Sequence, residues 1–597
     1  MELIQRFRQY LERVPVVVET AAVVLMAFVV FRPFASLGVD PHHDGIVFTT
    51  ARGISNGLTV NKDVFTQYGP ISAWVQGLAL RMFGDNLLTL RMTAMVALAL
   101  AAGLFYASWR TLWGRWVALT GVLLWVGCAY FFSPDMPAIP WTSDIVLLIQ
   151  GAATLLVTLS MRSSKVDATR LLVGAGFLIG LLPFTRLNTG ILTVIALVGF
   201  SVLFQTRRDV LSLCIGLFTS LASVLFVLML TGALTQWWYQ GVIFPRSLYH
   251  GQLGSIGLVG LRANALVNGL TGIGYLAFTV FLLRQFRADA FEHSSPLSRY
   301  RRFFAVWAMR LGVALAWIWL VWLADPRGFL SPLTLQWGVL LATPFLVVRR
   351  LLALNSSNSS DFNRVLIFGL VVGSLGQLYP TIDLRHVWWA SLPAFGLAMS
   401  EIREYVSGRP RLILVSLSLL LPIALISIDR IDVTRKKYET TIQYASTLEG
   451  MRVNETFVKA FQSRFTAIKD FERAHGPRPV LNVCQDGLFA SVGGRFALPD
   501  PYFVYWPFSK FDGNFEARRN FISKKKPFIW MCDPLSDPTT YAAQFGYRLV
   551  ATPACTKQDP QLNVWPWKSL LAVPSDWAEL PIEKKWNRQT CSKLPSS

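Results

Sequence analysis

Charge is scarce in this sequence. Asp, Glu, Lys and Arg make up 15% of 597 residues, where a soluble domain carries about a quarter. With a hydrophobic share of 53%, that shortage excludes an ordinary soluble enzyme. Also missing are a Walker A loop, a GxGxxG turn after a strand and any internal repeat, which removes the common nucleotide-binding and solenoid classes. There are only six His and six Cys, and no pair has zinc-ligand spacing.

The chain does contain apolar blocks near bilayer length: Val14 to Phe31, Leu88 to Trp109, Trp116 to Phe132 and Val210 to Leu230. Arg6, Arg8 and Arg13 precede the first block, as they would in a signal peptide. No small-x-small site follows, and Arg32-Pro33-Phe34 is a poor cleavage context, so the block reads as the first spanning helix. The net charge of +21 is mostly topology signal. Segments 1–13, 109–115, 162–170, 205–209, 284–302, 349–364 and 401–411 hold 21 Lys and Arg, and the alternate segments hold 10. The positive-inside rule puts the first set in the cytoplasm, and no nucleic-acid partner is needed.

That alternation predicts a polytopic α-helical membrane protein with about 13 transmembrane helices. The expected spans are 14–34, 86–108, 115–133, 143–161, 170–183, 187–204, 210–231, 260–283, 303–323, 332–349, 364–379, 387–400 and 411–428. The N-terminus is then inside and the C-terminus outside. Outer loops run over 35–85 and 232–259. Within the first, Pro70 to Gly84 is amphipathic, with Trp74, Leu78 and Met82 on one helical face, and reads as a helix lying in the outer interface.

The transmembrane part covers 1–428, and from 429 to 597 the texture becomes that of a soluble extracytoplasmic α/β domain. Tyr438 to His475 has helical spacing, and short β-rich runs follow at Pro479–Cys484, Phe528–Cys532 and Tyr547–Val550. Cys484, Cys532, Cys555 and Cys591 lie here. An oxidising compartment permits disulfides among them, with Cys532–Cys555 the favoured pair. Asn454-Glu-Thr is a sequon on the outer side, of consequence only in a glycosylating host.

The first outer loop carries the densest polar chemistry. It reads Asp40-Pro-His-His-Asp44-Gly-Ile-Val-Phe-Thr-Thr-Ala-Arg, then Asp63, Pro70, Trp74, Gly77, Phe83-Gly84, Asn86 and Arg91. This order resembles the GT-C class of membrane glycosyltransferases, especially the protein O-mannosyltransferase and lipid A aminoarabinose transferase group. The helix count and outer C-terminal domain resemble the aminoarabinose branch. Two positions depart from the pattern: the family's acidic pair is Asp44-Gly45 here, and its Lys-Pro is Gly69-Pro70.

The resemblance implies a GT-C fold in a bacterial plasma (inner) membrane and a polyprenyl-phosphate sugar donor. The acceptor would be a cell-envelope glycan, lipid or protein, with membrane lipids as the other contact. It also implies an inverting single displacement. An acceptor hydroxyl needs a base, whereas the phosphate leaving group needs cations or hydrogen bonds in place of a general acid. By resemblance and position Asp44 is the expected base and Asp40 the second candidate.

Substrate-binding candidates follow from the predicted outer helix ends. Asp144 matches the family's second acidic position, or is a helix-start carboxylate favoured by the dipole. Arg186 and Asn188 sit at a tight outer turn, either as phosphate ligands or with Arg186 snorkelling. Arg246 and the aromatics Trp237, Trp238, Tyr239 and Tyr249 lie in the second loop, where a membrane-interface belt is the competing reading. Asp383, Arg385 and His386 either hold phosphate or satisfy one another. His43 joins the set. No cofactor is implied, and a divalent ion on His42, His43 and His386 is weighed and set aside. The rival classes are a flippase or transporter of a lipid-linked saccharide and a non-catalytic polysaccharide-assembly partner.

Overall fold

The computed structural model describes residues 14–40, 43–129, 138–204, 207–245, 332–352, 359–379, 384–405, 431–442, 446–483, 515–532, 538–550 and 569–583, with isolated positions between them. It is a mostly helical, polytopic membrane protein with a small α/β region at its C-terminus. Its helices in order are α1 (Val16–Ala35), α2 (His43–Ser55), α3 (Pro70–Phe83), α4 (Leu87–Trp113), α5 (Arg115–Cys128), α6 (Thr142–Ser160), α7 (Lys165–Leu181), α8 (Leu187–Phe204), α9 (Arg207–Leu230), α10 (Leu234–Trp238), α11 (Pro332–Leu352), α12 (Ser359–Ser374) and α13 (Leu384–Tyr405). Among the described residues, five stretches are long and apolar enough to cross a membrane: Val16–Ala35, Leu87–Trp113, Thr142–Ser160, Lys165–Phe184 and Arg208–Leu230. The predicted spans 260–283 and 303–323 and most of 411–428 lie outside the described residues.

Most predicted boundaries hold to within a few residues. α7 starts earlier than the apolar pattern suggests, because Ser164 caps it: its hydroxyl accepts from the Asp167 N–H. α13 runs past both ends of its apolar stretch. Arg385 and His386 fill its first turn, and Glu401 near its end pairs with Arg349 and Arg350 of α11.

α4 is the hub, packing on α1, α5 and α6, while α7 packs on both α6 and α9. The α7–α9 seam is built on small residues. A Cβ at Gly176 would sit 2.0 Å from the Leu213 carbonyl oxygen, and one at Gly216 would sit 1.9 Å from that of Val173. Such close backbone approach drives helix association in lipid, where apolar burial alone gives no preference. Between α5 and α13, Trp125 and Trp388 stack at 4.6 Å. Each indole N–H donates to the other residue's carbonyl at 3.0 Å.

The two ends of the bundle differ in chemistry. At one end Glu19 accepts from Tyr106 (2.7 Å) and Arg110 (2.9 Å) and pairs with Arg115. Nearby, Arg162 donates to the Thr111 carbonyl and Arg403 to that of Trp113. These arginines belong to the segments that the charge bias of the sequence leads one to expect on the cytoplasmic side. At the other end lie the loop with Asp40, α2 and α3, and the starts of α4, α6 and α13. α2 was read from sequence only as loop. Its nine buried residues, Asp44 among them, mark it as a helix stabilised by packing rather than by an apolar stripe. α3 is the expected amphipathic helix, with Leu78 and Met82 exposed and Gln76 and Gly77 buried, although Trp74 is partly buried against Phe184 and Trp237.

In the C-terminal region the helical spacing from Tyr438 is only partly realised. A hairpin of β1 (Thr440–Thr441) and β2 (Arg452–Val453) occupies its first half, and α14 (Glu455–His475) its second. Asn454 caps α14 by accepting from the Phe457 N–H at 2.7 Å, which gives the sequon asparagine a structural task. The sheet that follows comprises β3 (Val480–Val483), β4 (Phe528–Cys532), β5 (Tyr547–Val550) and β6 (Ser569–Pro574), in the order β3-β4-β6-β5. β3 and β4 are parallel and the other pairs antiparallel. The first three strands were legible in sequence and β6 was not. Cys484, Cys555 and Cys591 lie outside the described residues, as does the Cys532 side chain, and with them the expected disulfides.

Candidate active site

Asp40, His43 and Asp44 sit where α1 gives way to α2. The Asp40 carboxylate accepts from the His43 N–H at 2.9 Å and meets its Nδ1 at 2.6 Å. Asp44 points the other way, into the protein. Both its oxygens are engaged by Arg91 of α4, through Nε at 3.2 Å and through a closer contact from Nη2, and both side chains are fully buried. Asp44 also accepts from the Asp40 N–H at 2.8 Å. Arg91 spends its remaining nitrogen on the carbonyls of Leu37 (3.0 Å) and Ala35 (3.4 Å). Burial pushes the Asp44 carboxyl above the usual carboxylate range, and the Arg91 charge and hydrogen bonds pull it back.

The expected base is thus saturated with hydrogen bonds in the interior, whereas the second candidate borders the half-buried His43. A base must reach the proton it removes. Asp40 is itself buried with its two oxygens on His43, and Asp44 is buried against Arg91.

Asp144 and His386 come together with His43 around the start of α6, through two tryptophans. The Trp141 ring is met edge-on by His43 at 5.2 Å and by Tyr68 at 5.3 Å. Three residues on, Asp144 Oδ1 accepts from the Trp389 indole of α13 at 3.1 Å. Its Oδ2 is buried and makes no hydrogen bond. Trp389 in turn meets His386 edge-on at 5.4 Å. A continuous set of contacts therefore runs from Asp40 through Trp141 and Asp144 to the start of α13, where Arg385 is also buried.

Arg186 and Asn188 are engaged by carbonyls and side chains of the protein. Arg186 donates to the Gln377 side chain (2.7 Å), to the carbonyls of Gln377 (3.2 Å) and Tyr379 (2.9 Å), and to Ser143 Oγ. Asn188 Nδ2 donates to the carbonyls of Gly376 and Tyr379, each at 2.7 Å. The two side chains bind the turn between α7 and α8 to the turn after α12. Gly69 closes the same region, because a Cβ there would lie 1.8 Å from the Phe184 carbonyl oxygen.

Arg246, Asp383, His42 and Tyr249 lie outside the described residues. In the second loop Trp237 is buried against Phe184 at 5.1 Å, and Trp238 is exposed as a membrane-belt residue would be. Among the described residues, no group of three His, Cys, Asp or Glu could hold a metal ion.

Sequence reasoning left Arg91, Trp141, Gln377 and Trp389 without roles. For Arg91 a signal existed, since an arginine inside an apolar span needs an acidic or carbonyl partner. The tryptophans and Gln377 gave none, because nothing local separates them from packing residues.

Residues 67–235 match the family model of dolichyl-phosphate-mannose-protein mannosyltransferases. Solved structures to which the chain is similar include the oligosaccharyltransferase of Archaeoglobus fulgidus in complex with zinc and sulfate. It is 13% identical over 87% of this chain and 69% of its own, with a TM-score of 0.44. The same enzyme tethered to an acceptor peptide containing the NVT sequon is 11% identical over 87% and 70%, also at 0.44. ArnT from Cupriavidus metallidurans in the apo state is 15% identical over 88% and 94%, with a TM-score of 0.32. No curated protein matches the chain. The family match bears out the resemblance read from Pro70, Trp74, Gly77, Phe83-Gly84, Asn86 and Arg91, and decides for an enzyme over a transporter or an assembly partner.

Proposed function

We propose that this chain, whose residues 67–235 match the family model of dolichyl-phosphate-mannose-protein mannosyltransferases, is a lipid-linked-donor membrane glycosyltransferase of the GT-C class and transfers its sugar at the end of the bundle where α2, α6 and α13 begin. That end faces away from the cytoplasm, since the arginine-rich end carries the positive-inside signal. The N-terminus is cytoplasmic, about 13 helices span the bilayer, and residues 429–597 form the extracytoplasmic domain. The acceptor is a cell-envelope glycan, lipid or protein.

Asp40 is the base. It takes the proton of the acceptor hydroxyl as that oxygen attacks the anomeric carbon. The bond from that carbon to the phosphate oxygen breaks, its electron pair leaves with the phosphate, and the configuration inverts. His43 orients Asp40. Asp144 receives a sugar or acceptor hydroxyl on its unpartnered oxygen. Arg385 and His386, with the α13 amide groups behind them, face the lipid phosphate; Arg246 and Asp383 are further candidates from the adjoining loops. Asp44 holds Arg91, and the pair fixes the loop that carries Asp40.

The observation that carries this reading is the Asp40–His43 pair at 2.6 Å, beside the Trp141 ring at 5.2 Å from His43. The test is transfer from a panel of polyprenyl-phosphate sugars by detergent-solubilised protein. Asp40→Asn should lower turnover by about 100-fold or more while leaving donor binding intact. Normal turnover in Asp40→Asn would remove Asp40 from the base role and return it to Asp44.

A further inference from the structure

The C-terminal region reaches the site end of the bundle through its hairpin. β1 pairs with β2 through Thr440–Val453 and Thr441–Arg452. The second strand then pairs with the first outer loop. The Arg452 N–H donates to the Ser36 carbonyl at 2.7 Å, and the Gly38 N–H donates to the Arg452 carbonyl at 2.8 Å. The turn is pinned separately, with Asn86 Nδ2 donating to the carbonyls of Ser446 (2.9 Å) and Glu449 (3.2 Å). Ile442, Leu448, Met451 and Val453 are buried in the same cluster as Phe31, Val39 and Leu87.

Asp40 is two residues beyond Gly38. The stretch from Ala35 to Asp40 is therefore held on one side by Arg91, which donates to the Ala35 and Leu37 carbonyls, and on the other by the hairpin. Tyr438, two residues before β1, is 7% exposed. It lies within electrostatic reach of both Arg91 and Asp40, and burial pushes its hydroxyl up to about 12, so it stays a neutral donor near pH 7. The titratable groups around Asp40 among the described residues are His43 and Asp44 on α2, Arg91 on α4 and Tyr438 from the hairpin side.

We propose that residues 438–442 and 446–453 form a wall of the transfer site and that the hairpin holds the Asp40 loop in register. This rests on the glycosyltransferase reading above and deepens it: the C-terminal region is a working part of the membrane enzyme, not an appended module.

One variant of the full chain in detergent tests it. Asn86 has two tasks, since its Oδ1 also caps α4 by accepting from the Leu88 N–H at 2.7 Å. Asn86→Asp keeps that acceptor and loses both donors to the hairpin turn. Hydrogen exchange should then accelerate in the hairpin and, through the shared pairing, in 36–44. With polyprenyl-phosphate mannose as the probe donor, kcat should fall about tenfold with KM little changed, as expected for a misplaced reacting group. Loosening of the hairpin with unchanged exchange in 36–44 would overturn the clamp. If the wild-type chain transfers no sugar from any donor, the enzymatic reading fails, and the exchange experiment still decides the clamp.

Discussion

Arg91 and Asp44 form a fully buried, two-pronged ion pair between the first turn of α4 and that of α2. Removing one member leaves the other charged and unpaired in the interior, which typically costs about 3–5 kcal/mol. Arg91→Ala should therefore lower the thermal unfolding temperature markedly, followed by tryptophan fluorescence in detergent. Arg91→Lys should recover only part of the loss, because an ammonium group cannot make two parallel contacts to a carboxylate. An Arg91→Ala protein that melts with wild type would show that the pair is dispensable.

That pair marks the limit of what the sequence disclosed. Span positions were legible because lipid forces apolar runs of bilayer length. Asp40, His43 and Asp44 stood out as an acidic and imidazole cluster beyond a spanning helix. The division of labour among them did not, since it depends on a partner 47 residues away. The partners of Arg186 were hidden for a related reason. A buried arginine at a helix end reads as a phosphate ligand until the carbonyls of Gln377 and Tyr379, distant in sequence, are seen to engage it. The hairpin was missed because the strand–loop pairing at Arg452 and Leu37 is long-range, and two-residue strands leave no alternating pattern.

Gly69 occupies the place where the resembled family has lysine, and its environment explains the substitution. The Gly69 N–H donates to the Thr185 carbonyl at 3.2 Å, and a Cβ would overlap the Phe184 backbone. Gly69→Ala should displace the Tyr68 loop from the turn after α7 and cut transfer by about 100-fold, in line with ångström-scale misplacement in a site. Wild-type kinetics in this variant would show that the loop is free to move there.

Asp144 separates support from recognition. Asn at this position still offers an oxygen to the Trp389 indole, so Asp144→Asn should melt close to wild type. The amide puts an NH2 donor where the unpartnered carboxyl oxygen stood. Leaving a buried hydrogen-bond partner unsatisfied costs about 1–3 kcal/mol, so the donor or acceptor KM should rise about ten- to a hundredfold. A large fall in melting temperature with unchanged KM would instead make Asp144 a structural partner of Trp389 alone.

Orientation is open to direct chemical test. The arginine-rich end, with Arg110, Arg162 and Arg403, should face the cytoplasm, and the end with Asp40 and Asp144 should face away. Ser163 and Asn56 are both exposed and lie at opposite ends of the bundle. Ser163 follows α6, and Asn56 follows α2. In a background without other reactive cysteines, Ser163→Cys should react with a membrane-impermeant maleimide only after the membrane is opened. Asn56→Cys should react in intact cells stripped of any outer barrier. Both substitutions leave the ion pairs and helix contacts described above in place, so misfolding does not confuse the result. The reverse labelling pattern would put Asp40 and His43 in the cytoplasm. The donor phosphate would then have to be met on the inner leaflet, and the positive-inside assignment for all the loops would be wrong together.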